Sequence, residues 1–385
     1  MSRDATPSDH LSMSTAIPTS EAAMDLIPPY TPPDFSAEPL ASAPVITTEK
    51  APADGVAPDE FHATSNHPEY VHVAPGTWVL LHKNRMDTVI RMDGETPEAV
   101  EARRLKKGDR VVVGRGEEGE KGVYIHTDGF EQRQGPSKKF AFMTRGSRET
   151  PFSRSYDHLY DILRHEKNEG FITWVLGPAV AFDKDSRDAM AGIIREGYCH
   201  ALMAGNALAT HDMEAGVYGT GLGQDIYTRE LKPLGHYHHL DLLNKVRRTG
   251  SIPAALEGLG ITDGIMHACE TCGVPYVLAG SIRDDGPLPE VETHTGKAQD
   301  RMRVFAAQAT CVITLATQLH TIAFGNMTPS YRVLDDGTVR PVFFYVVDIS
   351  EFSADKLANR GSAQSTAILT NVQDFMINLA NNLIP

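Results

Sequence analysis

From residue 171 onward, short unbroken apolar runs alternate with stretches of helical spacing. The runs are Phe171 to Leu176, Ala201 to Ala204, Val274 to Ala279, Cys311 to Ala316, Val342 to Val347 and Ala367 to Leu369. A strand with one wet face would show every second residue polar. Unbroken apolar runs suit strands covered on both faces, as in a parallel sheet between helical layers. The segments between them support helices. Asp185 or Ser186 can cap one that runs to Gly197. Others are expected after Gly205, near Asp263 to Cys272, over Arg301 to Gln308 and Phe352 to Asn359, and from Val372 to the end. The reading is an α/β unit over residues 151–385 with a parallel, Rossmann-like sheet.

The preceding chain differs in character. Residues 61–150 read as a smaller β-rich domain. Trp78 to Leu81, Thr88 to Ile90 and Arg110 to Val113 are β-branched or apolar runs separated by Pro75-Gly76, Asp93-Gly94 and Gly108-Asp109. Gly122 to Ile125 and Phe140 to Met143 could add strands. Ten of the 24 prolines fall within residues 1–60, including Pro28-Pro29 and Pro32-Pro33. Proline has no amide to donate, so this tail is expected to be extended or disordered.

In an open parallel sheet, ligands bind beyond the carboxyl ends of the strands. The unusual motifs of this chain fall there: Gly177-Pro178-Ala179, Gly205-Asn206-Ala207, Gly280 to Pro287, Thr317 to His320, and Asp348. Small residues at a strand-to-helix turn let backbone N–H groups approach a pyrophosphate, whose charge the helix dipole favours. Gly205-Asn206-Ala207 and Gly280-Ser281 suit that task, and Asp348 suits ribose hydroxyls. The set points to a dinucleotide site. The usual glycine fingerprint is absent; Gly219-Thr220-Gly221-Leu222-Gly223 has the wrong spacing, follows a helical stretch and reads as a loop.

Other polar residues are candidates for chemistry. Arg283 can clamp a carboxylate in bidentate fashion, and Asp284 or Asp285 can hold an amine or the nicotinamide ribose. His211 begins His211-Asp212-Met213-Glu214, and either faces the crevice as an acid/base or lies on a polar surface. His236, a further candidate catalytic residue, opens a histidine-rich segment with His238 and His239. No further ligand stands at a recognised zinc spacing, so this is expected to be a loop lining the site or lying on the surface. Cys269 and Cys272 make a single CxxC and read as packing.

Composition excludes several classes. The 36 basic and 50 acidic side chains leave a net charge of −14, which argues against nucleic-acid or anionic-membrane binding. No apolar run nears the roughly 20 residues of a membrane span. With four cysteines and no visible secretory signal, a reducing, cytoplasmic setting is expected.

These motifs together carry a resemblance. Leu202 to Glu214, Leu278 to Pro289, Leu315 to Asn326, Val347-Asp348-Ile349 and Asn359 to Ser362 resemble the LOR/SDH-domain, archaeal-type ornithine cyclodeaminases. That family also forms the C-terminal half of bifunctional arginine dihydrolase/ornithine cyclodeaminases. Ala51 to Thr64 resembles its linker, so the likeness spans residues 51–385. It implies a deoxyhypusine synthase-like NAD-binding sheet. It also implies a homo-oligomer and conversion of L-ornithine to L-proline, with ammonia released through hydride transfer to and from bound NAD. It implies NAD contacts at Asn206, Ala207, Asp285, Thr317, Gln318, Leu319, His320 and Asp348.

The chain departs from the family pattern at Phe182-Asp183-Lys184 and Gly219-Thr220-Gly221. Tyr331 to Pro341 reads as an insertion, and all three are expected near the pocket. Rival readings are an opine- or saccharopine-type dehydrogenase, an aminoalkyl transferase, and a non-catalytic NAD-binding subunit. Net NADH production separates the dehydrogenases from a redox-neutral cyclodeaminase.

Overall fold

The computed structural model describes residues 26–130, 153–284, 286–350, 352 and 365–385. The expected strand at Phe140 to Met143 and nearly all of the expected helix at Phe352 to Asn359 lie outside the described residues, as does Asp285.

Among the described residues the β-rich unit holds seven strands: β1 (Thr47–Lys50), β2 (Glu69–Ala74), β3 (Thr77–Leu80), β4 (Val89–Asp93), β5 (Thr96–Val100), β6 (Arg110–Val113) and β7 (Val123–Ile125). They form two antiparallel sheets, β1-β6-β4-β5 and β3-β2-β7. Val71, Leu81, Ile90, Val112 and Val123 are buried in the core of this unit. Gly76 and Gly94, at φ +71° and +62°, make the tight turns that join β2 to β3 and β4 to β5.

The unit begins earlier than the proline pattern indicates. Thr47 to Lys50 pair in register with Val113 to Arg110, and the Tyr30 hydroxyl meets that of Tyr70 at 2.9 Å. The part of the tail from residue 26 on thus includes turns and a short 3-10 helix at Leu40–Ser42, with β1 built into a sheet. Proline spacing carries no information about this, because an edge strand needs only a few free amides between prolines.

The α/β unit opens with α1 (Ser153–Glu169) and β8 (Ile172–Leu176). It continues through α2 (Lys184–Arg195), β9 (Ala201–Gly205), α3 (Asn206–Tyr218), the short hairpin β10 (Thr220–Gly221) and β11 (Gln224–Asp225), and α4 (His238–Thr249). Next come α5 (Ile252–Gly258), α6 (Ile265–Cys272), β12 (Tyr276–Ala279), α7 (Thr295–Ala306), β13 (Cys311–Leu315) and α8 (Gln318–Met327). The hairpin β14 (Tyr331–Val333) and β15 (Val339–Pro341), then β16 (Phe343–Asp348), β17 (Ser365–Leu369) and α9 (Val372–Leu383), complete it. The cap of α2 is Asp183, two residues before the expected Asp185 and three before Ser186. Its carboxylate accepts the Ser186 amide at 3.1 Å.

The six-stranded sheet is parallel, in the order β12-β9-β8-β13-β16-β17. Numbered along this sheet alone, that is 3-2-1-4-5-6, the doubly wound order, whose direction reverses between β8 and β13. Alternate residues of each strand face opposite layers. Ile172, Trp174 and Leu176 join one core with Ile313, Leu315 and Tyr345, whereas Val175 joins the other with Met203, Val312 and Phe344. Trp174 is fully buried, and its indole N–H donates to Tyr198 O at 2.8 Å. Removing that ring would cost about 3–5 kcal/mol.

The β14–β15 insertion does not border the rim, contrary to the sequence-based expectation. The Tyr331 hydroxyl donates to Leu81 O of the β-rich unit, and Arg340 pairs with the buried Glu166 of α1 at 2.6 Å. Both residues lie close to where β16 begins, at the opposite end of the sheet from its carboxyl rim.

Candidate functional site

The rim is narrowest where the strand order reverses. The Gly177 amide, just past β8, donates to Leu315 O at 2.8 Å. A Cβ on Gly177 would fall 1.9 Å from Ala316 O, so only glycine lets the two loops approach this closely. Two helices start on this rim, α3 after Gly205 and α8 after Thr317. Neither N-cap residue uses its side chain to satisfy the first-turn amides. Free N–H groups and two helix dipoles thus point at the crevice, an arrangement that favours an anion. The two starts are close: His320 of α8 lies 3.3 Å from where a Gly205 Cβ would stand. Burial pushes the His320 imidazole below its ordinary pKa, keeping it neutral near pH 7.

The other expected cofactor residues divide. Gln318 and Leu319 are exposed in the first turn of α8, and Ala207 occupies the first turn of α3. Asn206 is buried, and its Oδ1 accepts the Leu288 amide at 3.0 Å, which ties the loop after β12 to the start of α3. Asp348 ends β16 partly exposed. One carboxylate oxygen accepts the Ser350 amide at 2.9 Å.

The segment after β12 is a self-bonded turn. Asp284 accepts the Ser281 amide at 2.7 Å, and the Ser281 hydroxyl accepts the Arg283 amide at 3.0 Å. Asp284 and Ser281 are therefore engaged with each other, a local bond that three-residue spacing favours. The Arg283 side chain is exposed. Arg247 of α4 braces the end of this loop, with its guanidinium 3.4 Å from Pro287 O.

The most elaborate polar cluster stands on α3. His211 Nδ1 lies 2.8 Å from Glu214 Oε2, a pairing one helical turn apart. Glu214 is fully buried and also accepts from the Thr220 hydroxyl at 2.9 Å and the amides of Gly223 at 2.9 Å and Leu222 at 3.2 Å. The Thr220 oxygen in turn meets His238 Nδ1 at 2.8 Å. Burial alone would raise the Glu214 pKa, but bonds from His211, Gly223 and Thr220 outweigh it and hold the carboxyl below its ordinary value. An ionised Glu214 can only accept. The network therefore assigns the Nδ1 proton to His211 and leaves Nε2 to exchange protons. The His211 ring lies 5.0 Å from Phe182, just past β8, and 6.4 Å from the ring of His239.

Sequence reasoning ranked these residues imperfectly. His236, the expected pocket histidine, is exposed on a short 3-10 turn against Tyr237; His238 and His239, on the first turn of α4, are the ones beside His211. Asp212 faces away from the cluster. It pairs with the buried Arg187 at 2.7 Å and accepts the amides of Ile265 and Met266 at 2.9 and 2.8 Å, which anchors the start of α6. Glu214 was visible only as the last residue of a motif. The signal that would have singled it out is the i, i+3 spacing to His211, followed by glycines able to turn amides back on it. Among the described residues, no group of three potential ligand side chains converges to hold a metal.

Comparison with known proteins gives a consistent result. Residues 159–379 match the family model of the arginine dihydrolase ArgZ-like C-terminal Rossmann fold, and residues 68–153 match that of the ArgZ-like C-terminal first region. An ornithine cyclodeaminase of Methanopyrus kandleri is 40% identical over 341 residues, covering 88% of this chain and 78% of that protein. The bifunctional arginine dihydrolase/ornithine cyclodeaminase ArgZ of Synechocystis is 37% identical; the match covers 88% of this chain but 46% of ArgZ. Among solved structures, a conserved LOR/SDH protein of Methanococcus maripaludis S2 superposes with a TM-score of 0.78 at 34% identity. It covers 88% of this chain and 98% of that one. AgrE in its ternary complex with ornithine and NAD+ gives 0.55 at 32% identity, covering 89% of this chain and 46% of that one.

Proposed function

The chain belongs to the archaeal-type ornithine cyclodeaminase family, which also supplies the C-terminal part of the ArgZ-like proteins, and from that premise we propose that it is an NAD-dependent enzyme converting L-ornithine to L-proline with release of ammonia. One observation carries the reading. The helix that starts at the anion-ready rim, α3, also bears the buried His211–Glu214 pair. His211 stands five residues past Asn206, about 7.5 Å along the axis at 1.5 Å per residue. A dinucleotide on the rim and an acid/base group are thus presented to one small substrate.

The residues fit NAD at the crevice. The first-turn amides of α3 and α8 would take its pyrophosphate, with Gly177 giving it room. Asp348 would hold ribose hydroxyls through the carboxylate oxygen not engaged with Ser350. When bound, NAD supplies a reversible hydride acceptor for the substrate α-carbon, so the net reaction needs no outside oxidant.

The chain's own groups do the rest. His211 Nε2 takes and returns protons at the substrate amines, while Glu214 fixes the ring tautomer and stabilises the imidazolium. Thr220 and His238 hold Glu214 in turn. Phe182 walls the pocket against water beside the His211 ring. Arg283 binds the substrate carboxylate, on a loop that Leu288 tethers to Asn206. Apolar side chains that stand exposed near this rim, Ile282 on the loop after β12 and Leu319 in the first turn of α8 among them, support a second copy of the chain as cover, and hence a homo-oligomer.

Purified chain incubated with NAD and L-ornithine should release ammonia and form proline without net accumulation of NADH. Steady NADH production, or no turnover of ornithine, would exclude the cyclodeaminase reading. Arg283→Ala should abolish turnover while NAD still binds.

A further inference from the structure

A second cavity lies at the other end of the sheet, between the β-rich unit and the C-terminal ends of α7 and α8. Its volume is about 960 Å³, within the range of small-molecule sites. Its walls carry six cationic side chains and three carboxylates; one of the six, Arg91, is paired outside the lining with Glu98 at 2.6 Å and Asp109 at 3.7 Å, and the other five against three leave a surplus of two positive charges in a chain whose net charge is −14. A positive cavity in so acidic a protein is not a by-product of composition.

The pairing inside it is incomplete. Glu101 is shared by Arg85 at 2.8 Å, Arg104 at 2.6 Å, and Arg303. Asp300 is shared by Arg104 and Arg303. Guanidinium groups held around shared carboxylates repel one another. Burial, then the nearby Arg85, pushes the Arg303 pKa down to about 10. Arg332 donates to Gln308 O at 2.7 Å, and Lys83 pairs with no carboxylate among the described residues. Lys83 also stands at φ +56°, a left-handed conformation that costs a non-glycine residue energy and often marks a ligand site. Val304, Met327 and Val333 form an apolar part of the wall.

We propose that this cavity binds a di- or triphosphate group, Arg85, Arg303, Arg332 and Lys83 being its ligands. Guanidinium forks match phosphate oxygens in bidentate geometry. Two linked phosphates carry about three negative charges near neutral pH, enough to neutralise that surplus, whereas a single carboxylate would leave part of it uncompensated. Free pyrophosphate and a nucleotide whose body rests on the apolar wall share this chemistry, and the titration below separates them. The rim and this cavity lie at opposite ends of α8, about 15 Å apart for its ten residues. The two sites can therefore be filled together, and this inference does not rest on the rim reading.

The test is calorimetric titration of the full chain, saturated with NAD, with inorganic pyrophosphate and separately with ATP. One equivalent of pyrophosphate should bind, more weakly as salt is raised. Lys83→Glu should weaken it at least about tenfold. Arg85→Gln combined with Arg303→Gln should weaken it further. Should that double variant fail to fold, Lys83→Glu, an exposed residue outside the Glu101 and Asp300 network, decides alone. Tighter binding of ATP than of pyrophosphate identifies the ligand as a nucleotide; equal binding identifies the free anion. Absence of binding to the unaltered chain, or binding indifferent to Lys83→Glu, overturns the proposal.

Discussion

Replacing Glu214 by glutamine tests the proposed chemistry at its weakest point. The carboxylate accepts four bonds, two at each oxygen: Thr220 and Gly223 at Oε1, His211 and Leu222 at Oε2. An amide has one acceptor oxygen and one NH2. If the NH2 takes the Oε2 place, His211 must switch tautomer and the Leu222 amide loses its acceptor. If it takes the Oε1 place, Thr220 can turn its hydroxyl, but the Gly223 amide is orphaned. Either way one buried backbone donor is left without a partner, at about 1–3 kcal/mol. The melting temperature should fall by roughly 2–10 °C.

The first arrangement also puts the wrong proton on the ring, and both remove the charge that stabilises an imidazolium. Turnover of ornithine should fall about 10²–10⁴-fold, the range a positioned acid/base contributes. NAD affinity should stay within about twofold, because the rim amides are untouched. The pH dependence has a definite sign. The folded pKa of Glu214 lies below its ordinary 4.5, so its ionised form stabilises the fold above that value, and the contribution is lost as pH falls through the depressed pKa. The stability gap between the two proteins should be full at neutral pH and close in acid. Ammonia release at saturating NAD, with melting curves across pH, checks both. A folded Glu214→Gln chain that keeps turnover within about fivefold would refute the assignment of His211 and Glu214.

Three further outcomes follow from the same geometry. Asp212→Ala strands the buried Arg187 and removes the acceptor for two α6 amides; it should cost about 3–5 kcal/mol in chemical denaturation, and an effect under about 1 kcal/mol would contradict the structural role. Gly177→Ala forces a Cβ onto Ala316 O, so the loops must separate; NAD affinity and melting temperature should both fall, and an unperturbed dissociation constant would show the crevice to lie elsewhere. Asp348→Ala should weaken NAD several-fold with the melting temperature of the ligand-free chain nearly unchanged, since among the described residues that side chain accepts one bond, from the nearby Ser350 amide. Equal NAD affinity would remove it from the ribose site.

What the amino-acid order alone conveyed was local. Runs at 172–176, 202–204 and 311–315, apolar but for Thr173 and Thr314, mark strands buried on both faces, because strand and helix differ in a period visible over a few residues. Glycines and small residues after those runs mark the rim, because a close backbone approach excludes side chains. Strand order was not legible, since nothing within a βαβ unit states on which side of the sheet it will be laid.

Nor was the sorting of neighbours on one helix. His211 and Glu214 meet a hairpin folded back from residues 220–225, while Asp212 between them turns to an arginine of α2. Which face of α3 meets which partner depends on how the whole layer is rotated against the sheet. The same applies to His238 in place of His236, and to arginines from positions 85 and 303 that meet around one glutamate. Such pairs are far apart along the chain, and only tertiary packing brings their charges within reach of each other.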